Sequence, residues 1–220
     1  MRFFKRLLRR RSKEPPEMYW VRRGERVLGA GGLEEQLEGQ QVDTFRTIWS
    51  EIRDRRYTDV VDVGCNVAAL GQLIFQWGYR GRYVGVENNP HALRFASVEL
   101  ARTLGRWRLV NGNARALPFR ERGHQAVVVK DVPEHLEDFR PALGEAARVA
   151  RRAIIVSSFI PWGRGRPSIR RHRRGFYLNR YRRRDILEFL AGRGFHPQAD
   201  IPTQEKDGNP NEVVVFVRLA

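Results

Sequence analysis

The sequence predicts an α/β fold: a doubly wound, mostly parallel sheet that ends in an antiparallel strand pair. Three observations carry that prediction. From Thr58 onward, short β-branched runs alternate with helical patterns of about 10–15 residues, as βαβ units require. The last two strand candidates flank a polar turn with no helix between them, so they must run antiparallel. The chain of 220 residues is 41% hydrophobic and 30% charged, enough apolar side chain for one packed core and too much for disorder.

Taken in order, residues 1–13 place Phe3, Phe4, Leu7 and Leu8 on one helical face with basic residues opposite, and Pro15-Pro16 stop any helix there. Residues 1–16 are therefore expected to form a basic amphipathic arm, and 17–220 the folded domain. Met18–Val21 is a short apolar patch and Gly29–Gly32 a loop. Glu34–Arg56 is helical in pattern, with Leu37, Phe45, Ile48, Trp49 and Ile52 available for burial. Strands are expected at Asp59–Val63, Arg82–Glu87, Arg106–Val110, Gln125–Lys130 and Ala153–Ser157. Helices are expected near Ala68–Trp77, Pro90–Leu104 and Phe139–Ala150. Asp185–Gly192 is a further helix, and Phe195–Ile201 and Glu212–Leu219 form the closing pair around Lys206–Asn211.

The net charge of +16 is unevenly spread. Residues 1–13 hold 7 basic and no acidic residues, and 164–184 hold 10 and none. The remaining 186 residues carry 24 basic against 25 acidic side chains. A nearly neutral body with two basic appendages is not a histone-like protein, whose charge runs throughout. Cys65 is the single cysteine, so intramolecular disulfides and multi-cysteine zinc sites are excluded. No apolar run reaches the roughly 18 residues of a membrane span, and Lys5-Arg6 interrupts any signal-like core. A cytoplasmic chain, peripheral at the inner membrane face, is the expected setting.

In such a sheet, ligands bind beyond the carboxyl ends of the strands, at the point where the strand order reverses. The first strand-to-helix turn there reads Asp62-Val63-Gly64-Cys65-Asn66-Val67-Ala68-Ala69-Leu70. Gly64 permits close backbone approach, and Asn tolerates positive φ better than other non-glycine residues. Asp62 would repel a pyrophosphate and suits a ligand with a cationic group. The dinucleotide pattern GxGxxG is broken at Asn66 and Ala69. Glu87, ending the second strand about 20 residues on, can accept hydrogen bonds from ribose hydroxyls. Asn113, after the third strand, offers an amide donor and acceptor suited to an adenine edge. Lys130-Asp131-Val132-Pro133-Glu134-His135-Leu136 forms a polar cluster after the fourth.

These four segments, in this order, resemble the class I S-adenosylmethionine-dependent methyltransferases, most nearly the small-molecule, quinone-biosynthesis-like (type 11) branch. The resemblance covers 58–158 with motifs and extends weakly to the C-terminus. It implies a Rossmann-like, seven-stranded sheet and S-adenosyl-L-methionine as cofactor. Asp62, Gly64, Asn66 and Ala68 occupy the D-x-G-x-G-x-G positions that hold the methionine end. Glu87 falls on the ribose-binding acid, and Gly112-Asn113-Ala114 with Leu117-Pro118-Phe119 on the adenine-facing segment. Glu134-His135-Leu136 matches the stretch bordering methyl transfer. The implied cofactor set is Asp62, Gly64, Cys65, Asn66, Glu87, Asn88, Asn113, Ala114 and Lys130. Asn66 and Ala68 replace two glycines, and Ala68 is expected to narrow the approach by one methyl group; Asn113 replaces an aspartate.

Each residue also has a blander reading. Asp62 and Glu87 could be ordinary strand-end acids, though their joint placement favours a ligand. Cys65 reads as a small buried filler rather than a nucleophile. His135 is the candidate base, with a structural histidine as the alternative. Glu134 with His135 makes a weak metal pair, and no metal is expected. Arg170, Arg171, Tyr177 and Tyr181, in the basic insertion 160–184, are the candidate acceptor-binding residues. With Trp162, Tyr19 and Trp20 the tyrosines could line a pocket, or simply pack under a lid. Arginine interleaved with aromatics suits RNA, a phosphorylated acceptor or an anionic head group. The favoured acceptor is an anionic small molecule, lipid- or glycan-linked, at an anionic membrane surface. RNA methylation, or a non-catalytic module binding RNA or membrane, is the competing reading.

Overall fold

The computed structural model describes residues 42–173, 175–204 and 210–219. The expected arm, the segments at Met18–Val21 and Gly29–Gly32, Tyr19 and Trp20 lie outside them, as does the first part of the Glu34–Arg56 helix. The described elements are α1 (Val42–Asp54), β1 (Asp59–Val63), α2 (Ala69–Gln76), β2 (Arg82–Glu87), α3 (Pro90–Ala101) and β3 (Arg106–Asn111). There follow β4 (His124–Lys130), a 3-10 turn (Pro133–His135), α4 (Arg140–Val149), β5 (Ala150–Ser158), α5 (Arg183–Ala191), β6 (Phe195–Gln204) and β7 (Pro210–Arg218).

The seven strands form one sheet in the order β3-β2-β1-β4-β5-β7-β6. β1 pairs in parallel with β2 and β4, β2 with β3, and β4 with β5. β7 is antiparallel to both β5 and β6. The expected mostly parallel sheet with a closing antiparallel pair is the observed architecture. From β1 the chain steps outward to β2 and β3, then returns to lay β4 on β1's other side. That reversal opens a crevice between the carboxyl ends of β1 and β4.

Both faces of the sheet are covered, which is why its central strands read as continuous runs of valine and alanine. Val60, Ala126, Val128, Ala153 and Ile155 pack on one side with Phe45, Ile48 and Ile52 of α1 and Leu70 and Ile74 of α2. Val61, Val63, Val127, Val129 and Ile154 pack on the other with Leu143 of α4 and Ile186 and Leu190 of α5. α3 starts at Pro90, whose fixed φ suits a first helical position, and Asn89 caps it by accepting from the His91 and Ala92 amides. β5 begins three residues earlier than expected. Arg151 and Arg152 are exposed at the sheet's lower end, with Arg152 lying over the Tyr57 ring, so two charged residues continue the strand.

Candidate active site at the carboxyl rim

The turn after β1 holds three residues in the left-handed region: Gly64 at φ 73, Asn66 at φ 50 and Ala68 at φ 57. An alternating series of left-handed residues folds the chain into a tight turn, a geometry suited to close approach by a ligand. Gly64 and Cys65 anchor the turn by donating their amides to the Val86 carbonyl, at 2.8 and 3.0 Å. Ala68 is fully buried within the core cluster. Its methyl group packs there, so the expected narrowing of the ligand approach does not occur; what Ala68 carries is backbone strain.

Two carboxylates flank the turn. Asp62 is buried (3% exposed) and accepts the Tyr83 hydroxyl at 2.7 Å. Burial pushes its carboxyl up to about 6, against the pull of Tyr83 and Lys130 and with added repulsion from Glu87 and Asp131. Glu87 also sits above the ordinary carboxylate range because of burial, while three amides hold its charged form. Asn66 donates to Oε2 at 2.9 Å, and Asn88 and Asn89 to Oε1 at 2.8 and 3.0 Å. The Asn66 contact ties the turn directly to the acid ending β2.

The remaining cofactor candidates are placed as follows. The Cys65 thiol is buried and raised well above its usual value by desolvation, so it is inert filler, and its amide is committed to Val86. Asn113 is exposed and its Oδ1 accepts the Arg115 amide at 2.9 Å, which makes it the organiser of its own turn with one lone pair remaining. Ala114 is half-buried beside it. Lys130 forms an ion pair with Asp131 and lies 4.9 Å from the Phe45 ring centroid. The adenine-side loop is held from below by a pair the sequence reading passed over. Arg148 donates to the Phe119 and Leu117 carbonyls at 2.7 and 3.0 Å, and its partner Glu145 accepts the Leu117 amide at 2.7 Å. Replacing Arg148 with Ala removes charge-assisted bonds worth about 1.5 kcal/mol or more. Calorimetry should show S-adenosylmethionine binding about ten-fold weaker, with the fold intact by circular dichroism.

Asp131 and Glu134, read from sequence only as members of the polar run after β4, are joined at this rim by Ser157 and Ser158, which the sequence reading did not name. Asp131 follows β4 in the left-handed region at φ 53 and accepts the Ser157 hydroxyl at 2.9 Å. Glu134 is fully buried; Oε1 accepts from the Ser158 hydroxyl and the Phe159 amide, each at 3.1 Å, and Oε2 has no partner among the described residues. Burial and the nearby Asp131 push its carboxyl up to about 8. Their signal in sequence was only a polar run after a strand. Ser157 and Ser158 come from the next strand, which no local spacing reveals.

His135 is half-buried, packs on the Phe159 ring and places Nδ1 3.1 Å from the Tyr177 carbonyl oxygen. A carbonyl only accepts, so Nδ1 carries the proton and the neutral ring has its lone pair on Nε2. Tyr177 and Tyr181, expected at the acceptor, are buried (7% and 5% exposed). The Tyr181 hydroxyl donates to the Leu136 carbonyl and its ring packs edge-on against Phe139. Both fasten the basic segment to the rim, which is the lid reading of these rings. Arg170 and Arg171 are exposed on that segment. Among the described residues no three His, Cys, Asp or Glu side chains gather as a metal-binding set.

Residues 61–155 match the family model described as "Methyltransferase domain". Over those residues the chain is similar to the class I methyltransferases. No curated relative matches the chain. Among solved structures, magnesium protoporphyrin IX methyltransferase from Synechocystis PCC 6803, with bound S-adenosylhomocysteine, superposes with a TM-score of 0.64 at 18% identity. That match covers 80% of this chain and 82% of the other. The Burkholderia thailandensis 1,6-didemethyltoxoflavin-N1-methyltransferase, with its substrate and S-adenosylhomocysteine bound, gives a TM-score of 0.67 at 13% identity, covering 95% and 92%. These likenesses establish the shared fold. The methyltransferase family uses S-adenosylmethionine. The rim fits that group: all three glycine positions keep left-handed backbone, and acids stand at the ends of β1 and β2.

Proposed function

We propose that this chain moves a methyl group from S-adenosylmethionine to an anionic acceptor. The observation that carries the reading is the left-handed backbone at Gly64, Asn66 and Ala68, bounded by Asp62 and closed onto Glu87 through the Asn66 amide. When bound, S-adenosylmethionine supplies a methyl group already activated by its sulfonium. The chain's part is alignment, exclusion of water and proton removal. Asp62, at the floor of the β1 turn, holds the cofactor's ammonium group through its charge. Glu87 accepts from the ribose diol, its carboxylate kept in place by the three amides. Asn113 turns its loop toward the adenine, and Arg148 fixes that loop. His135 takes the proton of an oxygen or protonated nitrogen acceptor at Nε2, while its Nδ1 donates to the Tyr177 carbonyl. Exposed arginines beside the 133–136 turn supply the positive field that favours an anionic acceptor.

The test is calorimetry with S-adenosylmethionine and S-adenosylhomocysteine. Asp62 must be ionised to hold a cation, and its carboxyl rests at about 6. Affinity should therefore rise as pH goes from 5 to 7 and level off above. Asp62→Ala should lose this pH dependence and bind at least ten-fold more weakly. No heat at millimolar cofactor would overturn the reading. For catalysis, His135→Ala should lower kcat by about 100-fold or more for an oxygen acceptor, with cofactor affinity unchanged. Full turnover in that variant would remove the base role.

A further inference from the structure

The ten arginines of 164–184 are not one population. Three are spent inside the fold: Arg182 on Asp185, Arg183 on Asp200 and Glu212, and Arg184 on Glu188. Arg164, Arg166, Arg170, Arg173 and Arg180 are exposed and make no ion pair among the described residues. Arg170 and Arg180 sit on an antiparallel ribbon, whose bridges pair Ser168 with Arg180 and Arg171 with Tyr177; Arg173 lies at its tip, and Arg164 and Arg166 lie on the segment that leads into it. That register faces Arg170 toward Leu178, with the Leu178 amide donating to the Arg170 carbonyl at 3.1 Å. Alternation then separates the two sides of the ribbon. Tyr177 and Asn179 go inward, Asn179 donating its amide to the Glu134 carbonyl at 2.9 Å. Arg170, Leu178 and Arg180 go outward.

The outward side decides what it fits. Its aromatic rings are withdrawn: Trp162, Tyr177 and Tyr181 are buried, and Phe176 is half-buried and stacked on His172 with centroids 4.5 Å apart. Single-stranded nucleic acid is gripped by exposed rings on which bases stack, and this ribbon offers none of those four. What it exposes is aliphatic, Leu178 at 36%. Arginines without acid partners among the described residues, set around an aliphatic side chain, match the boundary between anionic head groups and acyl chains.

We infer that the ribbon 164–180 docks the chain on an anionic lipid bilayer and brings the methyl-transfer rim against it. This names the partner of the proposed acceptor side and rests on that reading for its purpose. The ribbon is fixed to the rim by the His135 contact with Tyr177 and the Asn179 contact with Glu134. A bilayer touching the arginines therefore borders the residues after β4. An acceptor carried in the membrane reaches them without leaving it.

Flotation of the full chain with vesicles tests this, using phosphatidylcholine alone and phosphatidylcholine containing phosphatidylglycerol. The N-terminal residues remain in every sample, so only differences between variants are read. Each arginine near an anionic surface is worth about 1 kcal/mol, or about five-fold in partition. Replacing Arg164, Arg166, Arg173 and Arg180 together with Ser should lower partition onto the anionic vesicles by about 600-fold at low salt. Leu178→Asp should weaken the binding that survives at high salt. The thermal midpoint, expected unchanged because all five side chains are exposed, monitors folding. A quadruple variant that floats like the parent overturns the inference. So does one that loses a short single-stranded oligoribonucleotide while keeping its vesicles, an outcome that assigns the ribbon to RNA. Flotation needs no cofactor. A chain that floats but takes up no S-adenosylmethionine would defeat methyl transfer and leave the docking surface standing.

Discussion

Gly64→Ala should destabilise the domain by about 3 kcal/mol and abolish cofactor binding. Two separate penalties meet at this residue. At φ 73 an alanine pays the left-handed cost of about 1–2 kcal/mol. Its Cβ would also stand 2.5 Å from Cγ2 of Val132. Val132 is β-branched and has few rotamers to retreat into, so overpacking adds about 1–3 kcal/mol. The clash falls between the carboxyl ends of β1 and β4, so whatever movement relieves it spreads the crevice that the cofactor fills. Urea unfolding gives the first quantity and calorimetry the second. The double variant Gly64→Ala/Val132→Ala separates the two penalties. It should recover the overpacking part and keep the left-handed part, remaining about 1–2 kcal/mol less stable than Val132→Ala alone. If Gly64→Ala unfolds at the parent's urea midpoint, neither penalty is real.

Elements whose pattern is local were legible in the sequence. β1 and β2 are observed with the expected bounds, because a buried strand between two polar turns announces both its ends. The acids Asp62 and Glu87 follow from strand ends and were placed correctly at the rim. Ala68 shows where reading by residue type stops. A methyl group at a glycine position argued for obstruction, yet the backbone keeps its left-handed turn and sends the methyl into the core. The burial of the tyrosines in the basic segment was not legible for a related reason. Which side a residue faces on a ribbon depends on its pairing register, and 168–172 pair with 176–180 across a tip that no single residue type fixes. Arg182, Arg183 and Arg184 looked like part of one charge run, although their partners lie in α5, β6 and β7. Arg182–Asp185 and Arg184–Glu188 are helical-spacing pairs that the spacing does announce, whereas the long-range Arg183 pairs with Asp200 and Glu212 have no signature in spacing.

Glu134 is the residue whose burial no pattern announced, and its replacement carries the second large effect. The carboxyl is fully buried, has one oxygen without a partner among the described residues and shares its surroundings with Asp131. Its folded-state value of about 8 stands above the unfolded value near 4.5, so the folded protein binds this proton more tightly than the unfolded chain. The contribution to stability is therefore complete below about pH 4.5 and is lost progressively as pH rises through 8. A shift of this size corresponds to a loss on the order of 5 kcal/mol between those limits. Glu134→Gln keeps an oxygen for Ser158 and Phe159 and removes the charge. It should leave stability near that of the parent at pH 5 and raise it by about 2–4 kcal/mol at pH 9, flattening the profile between. Thermal midpoints across that range provide the measurement. Because the Glu134 carbonyl accepts the Asn179 amide, the same titration bears on the hold of the basic ribbon. Protease cleavage after the exposed arginines of the ribbon should quicken above pH 8 in the parent and not in Glu134→Gln. Equal slopes of stability against pH in the two proteins would mean that Glu134 is ionised throughout and that its burial is balanced by groups other than those at the rim.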